Sequence, residues 1–304
     1  MAVVAPRAEN FDNYDTNIGS SSLAPGFLDH ASGLTENITV EVIAFEAANE
    51  RCAAALDRVG AGPSFPFPGC DVQAELARSQ LVQPRRLVAR GIAPATIDGI
   101  FLTHEHGDHS YGALTFAARF ECSIFATAGT AVALGLEGNL FSPFVRMESC
   151  REGRIGDIGF RPLGTPHDSN ESVAYAFEDV DARMVIASDL GHVQPEFLDF
   201  LRGATTLLLE FNHDEDMLRD GPYVWALKRR IAGGFGHLSN RQSADAVRAT
   251  ADERLKRVVV THLSRANNTP ALALAALASA LEVAESAASY GAADQFDGFE
   301  TFDA

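Results

Sequence analysis

The run FLTHEHGDHS carries His104, His106, Asp108 and His109, four side chains able to offer a lone pair to a cation, within six residues. They follow directly on an apolar stretch that reads as a strand. A strand running into a loop splays alternate side chains. His104 and His106 can therefore face one pocket, while Asp108 and His109 reach a second point nearby. Imidazole and carboxylate together suit zinc, manganese or iron. A lone histidine is usually structural, but four donors packed this closely read as a metal site.

Three more donors stand where other strands should end. His167 in GTPHDSN, Asp189 in VIASDLGHV and His262 in VVVTHLS each follow an apolar run. A carboxylate such as Asp189 can bridge two cations, one to each oxygen. Seven donors at strand ends point to a dinuclear site for two divalent metal ions, zinc or manganese ahead of iron.

Elements to position these donors are legible from about residue 87 onward. Short apolar runs at 99–103, 123–127, 173–177, 183–188, 206–210 and 257–261 predict buried strands. Helical spacing covers 194–202, 223–232, 240–249 and 270–286, the last opened by Thr269 as N-cap and Pro270 in the first turn. Such alternation predicts helices packed on sheets, an α/β architecture. Upstream the pattern weakens. The stretch 38–45 reads as a strand and 47–59 as a helix, but the first 35 residues show no clear periodicity.

Composition narrows the class. The chain has 304 residues, 46% of them apolar and 21% charged, near globular averages. No apolar run approaches the roughly 20 residues of a membrane-spanning helix, and the N-terminus lacks a secretory pattern. Cys52, Cys70, Cys122 and Cys150 form no CxxC pair, which fits a reducing cytoplasm. A net charge of −17 argues against a protein held on nucleic acid by charge alone. From Arg219 to Arg265, however, ten Lys/Arg stand against four Asp/Glu, a local +6.

The histidine and aspartate motifs, in this order, resemble those of the metallo-β-lactamase superfamily. That resemblance implies a four-layer αββα sandwich with metals at one edge. It implies one ion on His104, His106 and His167, another on Asp108, His109 and His262, Asp189 between them, and activated water as nucleophile. The segments around Glu210, GHLSN at His237, and THLSRANNTP at His262 resemble the YycJ/WalJ-like branch, with DNA exonuclease-like members, and motifs of ribonuclease Z. By that likeness Asp108, Glu210 and His237 are catalytic, with Glu210 and His237 assisting proton transfer to the leaving oxygen. Lys228, Arg229, Arg230 and Arg265 would then meet a phosphate backbone. Asn212 and His213 stay open between structure and function, and His192 reads as structural.

The resemblance implies a dinuclear phosphodiesterase or nuclease acting on DNA or RNA in the cytoplasm. Hydrolysis of a thioester, lactone or other acyl compound is the alternative from the same fold. A diiron oxidoreductase is disfavoured because His106 stands where that group carries a glutamate. Three segments are expected: an atypical N-terminal region at 1–86, the metallo-β-lactamase-type domain at 87–290, and an acidic tail at 291–304. The family's glycine-rich first strand and Asp-Cys-Gly strand end are not visible in 1–86. A divergent region fits this, and so does a shifted reading frame that yields an inactive or poorly folded product.

Overall fold

In the computed structural model, residues 2–6, 41–43, 87–88, 92–110, 112–137 and 144–293 are described. The apolar run before the histidine motif is strand β3 (Ile97–Leu102), buried at every position. It lies in a sheet with β1 (Ala2–Pro6), β2 (Glu41–Ile43), β4 (Ser123–Thr127) and β5 (Phe144–Met147), in the order β2-β1-β3-β4-β5. Helices α1 (Gly107–Ser110), α2 (Ala113–Phe120) and α3 (Ala128–Leu134) connect its parallel part.

A second sheet takes seven strands in sequence order, running from edge to edge. They are β6 (Gly153–Ile155), β7 (Ile158–Gly164), β8 (Val173–Glu178), β9 (Arg183–Ala187), β10 (Thr206–Glu210), β11 (Arg257–Thr261) and β12 (Ser289–Ala292). Its first part is antiparallel and β9 to β12 are parallel. The crossovers carry α4 (Pro195–Leu201), α5 (Glu215–Asp220), α6 (Trp225–Ile231), α7 (Asn240–Thr250) and α8 (Pro270–Val283).

Three apolar clusters account for the layers. Phe101 and Phe125 meet Phe160, Tyr175 and Phe177 between the sheets, with Phe101 and Phe125 stacked at 4.3 Å. Ile100 and Ile124 face Phe116 of α2 on one outer side. Val185, Leu209 and Val260 face Phe197, Val247 and Leu277 on the other. This is the αββα order that the sequence motifs imply.

The six predicted strands are all present within a residue or two. The four helices are present as well, α8 ending at Val283 rather than at the expected 286. Thr269 caps α8 by accepting a hydrogen bond from the Leu272 amide at 3.2 Å. Five strands escaped sequence reading: β1, β5, β6, β7 and β12. β6 and β7 form a hairpin about Gly156, which has positive φ. β1 lies in the stretch without periodicity, yet it pairs with both β2 and β3, so β3 is not left at an open edge. β2 lies inside the expected 38–45 strand. The expected 47–59 helix and the tail beyond residue 293 fall outside the described residues.

Parallel strands end at a common edge, and this places the donors. Asp189 follows β9, Glu210 closes β10 and His262 follows β11. The β7–β8 turn brings His167 to the same edge, since Gly164 pairs with Val173 at the base of that loop. The two sheets are tied there: the Val173 amide donates to the Thr103 carbonyl at 3.0 Å, and the Tyr175 hydroxyl to the Leu102 carbonyl at 2.5 Å.

Candidate metal centre

The first donors occupy a single tight turn. Beyond β3 the His109 and Ser110 amides both donate to the His106 carbonyl, and the Ser110 hydroxyl caps the Glu105 and His106 carbonyls. The turn carries His104, His106, Asp108 and His109 around one point. His104 and His109 are buried, their ring centroids 4.2 Å apart. The hydroxyl of Thr103 lies 3.1 Å from His104 Nδ1 and 3.3 Å from His109 Nδ1. Its two lone pairs can accept from both rings, fixing their tautomers so that Nε2 presents a lone pair.

His167 is held in the same way by a backbone carbonyl, that of Gly236, 3.1 Å from its Nδ1. Its Nε2 then lies 3.3 Å from Asp168 Oδ1 and 3.6 Å from Asp189 Oδ1. Asp189 is buried with φ of 62°, a left-handed backbone uncommon outside glycine, and His262 has φ of 54°. Backbone strain of this kind concentrates at functional sites. Burial pushes the Asp189 carboxyl up, but His262, His109, His104 and His167 around it prevail and hold it well below the usual range.

Glu210 sits behind the opposite side of the centre. It is fully buried, and its Oε1 accepts the Leu190 amide at 2.7 Å and the Leu238 amide at 3.1 Å. Oε2 lies 3.2 Å from His237 Nδ1 and 3.1 Å from His262 Nδ1. Burial raises this carboxyl, but the His237 and His262 hydrogen bonds outweigh it and bring it to about 2. An ionised carboxylate only accepts, so both imidazoles donate Nδ1–H and turn Nε2 away from Glu210.

His237 owes its place to two glycines and a helix start. An added methyl at Gly236 would strike the Arg230 and Ile231 carbonyl oxygens, and one at Gly191 would strike the Gly234 backbone. Those close approaches fold the loop after α6 onto the Asp189 loop, where the His237 amide donates to the Ile231 carbonyl at 2.8 Å. Two residues on, Ser239 and Gln242 form a capping box that fixes the entry to α7.

Every donor named from the sequence is thus brought to one place. Ligand atoms of His104, His106 and His167 lie within 4.8 Å of one another, as do those of Asp108, His109 and His262. Overlapping groups join His104 and His109 to Asp189, and Asp189 and Glu210 to His237 and His262. A mixed nitrogen and oxygen set fits a divalent cation. The buried Nε2 of His104, which has no hydrogen-bond partner, fits one as well.

Other expectations divide. Asn212 donates to the His262 carbonyl at 3.2 Å, and the backbone of the buried His213 bridges to that of Ser239. His192 Nδ1 lies 2.8 Å from the Gly234 carbonyl, a structural tie as expected. Much of the basic segment is neutralised by carboxylates: Arg219 pairs with Asp216 and Asp220, and Arg241 with Glu215. Lys228 is turned to the Arg219 carbonyl at 2.7 Å, because the carbonyls ending α5 attract a cation. Arg229 is exposed on α6, Arg265 is exposed beyond His262, and Arg230 reaches Asp168 at 2.5 Å. Thr103 and Asp168 are site residues that sequence reading missed. Each adjoins a donor in sequence, THEH and PHDS, and that adjacency is the one signal available.

Fold and donor geometry together point to one kind of protein. A family model described as the β-lactamase superfamily domain matches residues 61–263, and the chain belongs to that superfamily. It is similar to the exodeoxyribonuclease WalJ of Streptococcus pneumoniae serotype 2 (strain D39 / NCTC 7466), 34% identical over 184 residues, or 59% of this chain and 68% of that protein. It is also similar to the exodeoxyribonuclease YycJ of Bacillus anthracis, 32% identical over 188 residues, or 61% of this chain and 71% of that one. Among solved structures, the metallo-β-lactamase fold protein YhfI from Bacillus subtilis aligns with a TM-score of 0.54 over 70% of this chain and 80% of its own, at 17% identity. That likeness bears on the fold alone. No helix among the described residues is long and apolar enough to cross a membrane.

Proposed function

We propose that this chain is a dinuclear metallohydrolase that cuts phosphodiester bonds of DNA or RNA in the cytoplasm. The observation that carries the reading is the placing of His237. It is part-exposed beside the donor cluster, held through Nδ1 by a buried carboxylate, and reached from a helix bearing Lys228, Arg229 and Arg230. Likeness to exodeoxyribonucleases supports the same substrate class.

One ion would be held by His104, His106 and His167 and the other by Asp108, His109 and His262, with Asp189 close to both groups. When bound, two divalent cations supply Lewis acidity to the phosphoryl group and acidify water. The chain's residues do the rest. Asp189 and Asp108 bring negative charge that offsets the cations. Glu210 is a positioning residue, and its action passes through the two imidazoles it orients. His237 holds a proton at Nδ1 against Glu210 and presents Nε2 to the site, where, once protonated, it hands a proton to the leaving oxygen. Arg229 and Arg265 attract the backbone, and Arg230 can exchange Asp168 for a phosphate.

Incubating the metal-loaded protein with end-labelled single- and double-stranded DNA and RNA, with manganese, zinc or chelator, tests this. Metal-dependent shortening of at least one substrate is expected. Turnover of thioesters or lactones with every nucleic acid untouched would overturn it in favour of acyl hydrolysis.

A further inference from the structure

Arg161, Arg183 and Arg254 come from three separate segments and converge at the end of α4. The guanidinium of Arg161, on β7, lies 5.1 Å from the centroid of the Phe200 ring, and that of Arg183, opening β9, lies 5.6 Å from the same centroid. Arg183 also donates to the Phe200 carbonyl at 2.7 Å. A methyl added at Gly203 would stand 3.9 Å from a terminal nitrogen of Arg254. The backbones beneath are locked together: the Thr205 amide donates to the Arg183 carbonyl at 2.8 Å, and the Lys256 amide to the Thr205 carbonyl at 2.9 Å. This cluster is remote from the donors. About 13 Å of β9 separates Arg183 from Ala187, and Asp189 lies beyond that.

Carboxylates do not balance these cations. Glu178 pairs with Arg183, but among the described residues neither Arg161 nor Arg254 forms an ion pair. Asp252, two residues before Arg254, spends its oxygens on the Gly203 and Arg254 amides. Arg183 Nε is buried with no hydrogen-bond partner. Burial lowers the Arg183 guanidinium below its usual range, and repulsion from Arg161 and Arg254 lowers it further. The face of Phe200 attracts a guanidinium but does not cancel its charge. Like charges gathered at a half-buried place cost free energy that an anion would offset. A guanidinium presents its N–H groups as a fork that matches the oxygens of phosphate. We propose that Arg161, Arg183 and Arg254 form an anion site, at the far end of β9 from the metal centre, that takes a phosphate group, either free or at the end of a nucleotide. The site stands independently of the nuclease reading.

The full-length, metal-loaded protein would be dialysed to equilibrium against labelled orthophosphate and, separately, labelled thymidine 5′-monophosphate. Phosphate can also settle on the metal ions, so uptake by variants with the same metal content is compared. The unaltered protein should take up one more phosphate per chain than the Arg161→Gln/Arg254→Gln variant. Arg254→Gln alone, at an exposed position, should weaken the extra site about 10- to 150-fold, the loss of a charged hydrogen bond. Arg161→Lys, which keeps the charge, should weaken it less than Arg161→Gln. Arginine-dependent uptake of both ligands identifies a phosphate site, and uptake of the nucleotide alone identifies a nucleotide end as its source. Equal uptake of both ligands by the unaltered protein and the double variant would overturn the site. Unchanged uptake in Arg254→Gln would do the same if the double variant does not fold. Uptake that disappears entirely on chelation would assign the phosphate to the ions and also overturn it. None of these failures touches the nuclease reading, which is tested by cleavage.

Discussion

The two halves of the metal centre hold their imidazoles by different means. In the half built on β3 and the β7–β8 turn, Nδ1 of His104 and His109 meets a neutral hydroxyl and Nδ1 of His167 a neutral carbonyl. In the half built on β10 and β11, Nδ1 of His237 and His262 meets one ionised carboxylate. His104, His109 and His167 are deeply buried, whereas the side chains of His237 and His262 are 20% and 16% exposed. A charged partner makes an imidazole more basic than a neutral one does. Under the proposed function the contrast becomes a division of labour, with the buried imidazoles keeping a metal and the part-exposed ones handling protons and substrate.

The largest effect should come from striking both halves at once. Asp108→Ala removes a donor next to His109 and His262, so metal content should fall from two ions towards one. Hydrolysis should drop to the level seen with chelator. Elemental analysis and turnover on the same folded sample check this, and full activity in Asp108→Ala would sink the donor assignment.

His237→Ala strikes the proton-handling half alone. Metal content should stay intact while turnover falls about 100- to 10,000-fold, the range of a general acid. Equal loss of metal would make His237 a ligand instead and blur the division.

Glu210→Gln against Thr103→Val compares the two kinds of support. The glutamine keeps an acceptor for the Leu190 and Leu238 amides but sets an NH2 group against two Nδ1–H donors, forcing a tautomer change. A loss of about 10- to 100-fold in metal affinity or activity is expected. Thr103→Val removes a neutral partner of similar size and should cost about tenfold or less. Chelator competition reads both, and a larger loss in Thr103→Val would reverse the comparison.

The smallest effect belongs to the surface. Replacing Lys228, Arg229 and Arg230 together with glutamine should weaken nucleic-acid binding and lower its salt slope by about 1 for each phosphate left without its cation. Because Lys228 is already turned to a carbonyl and Arg230 to Asp168, the slope should change by less than the three charges removed. An unchanged salt dependence would mean that the helix never meets the backbone.

Legibility followed the length and local density of each signal. β3, β9, β10 and β11 are apolar runs buried nearly end to end, and their limits came out within a residue or two. β6 has three residues and β5 and β12 have four, too few for a period to register. The seven donors were visible because histidine and aspartate at strand ends stand out by type. Thr103 and Asp168 were missed because a polar residue beside a donor is common and carries no mark of its own.

The donor set, the α/β layering and the helices of the second sheet's crossovers were written in the sequence alone. They rest on residue type, periodicity and caps, all encoded over a few neighbouring positions. Tertiary packing was needed to set Glu210 against two imidazoles through one oxygen and two amides through the other. Packing also turned Lys228 away and carried Arg230 to Asp168. The Glu210 and Arg230 contacts depend on distances between loops set by Gly191, Gly236 and the sheet edge, across separations of 20 to 62 residues in the chain, while Lys228 meets a carbonyl nine residues back. No local pattern records which loop will meet which.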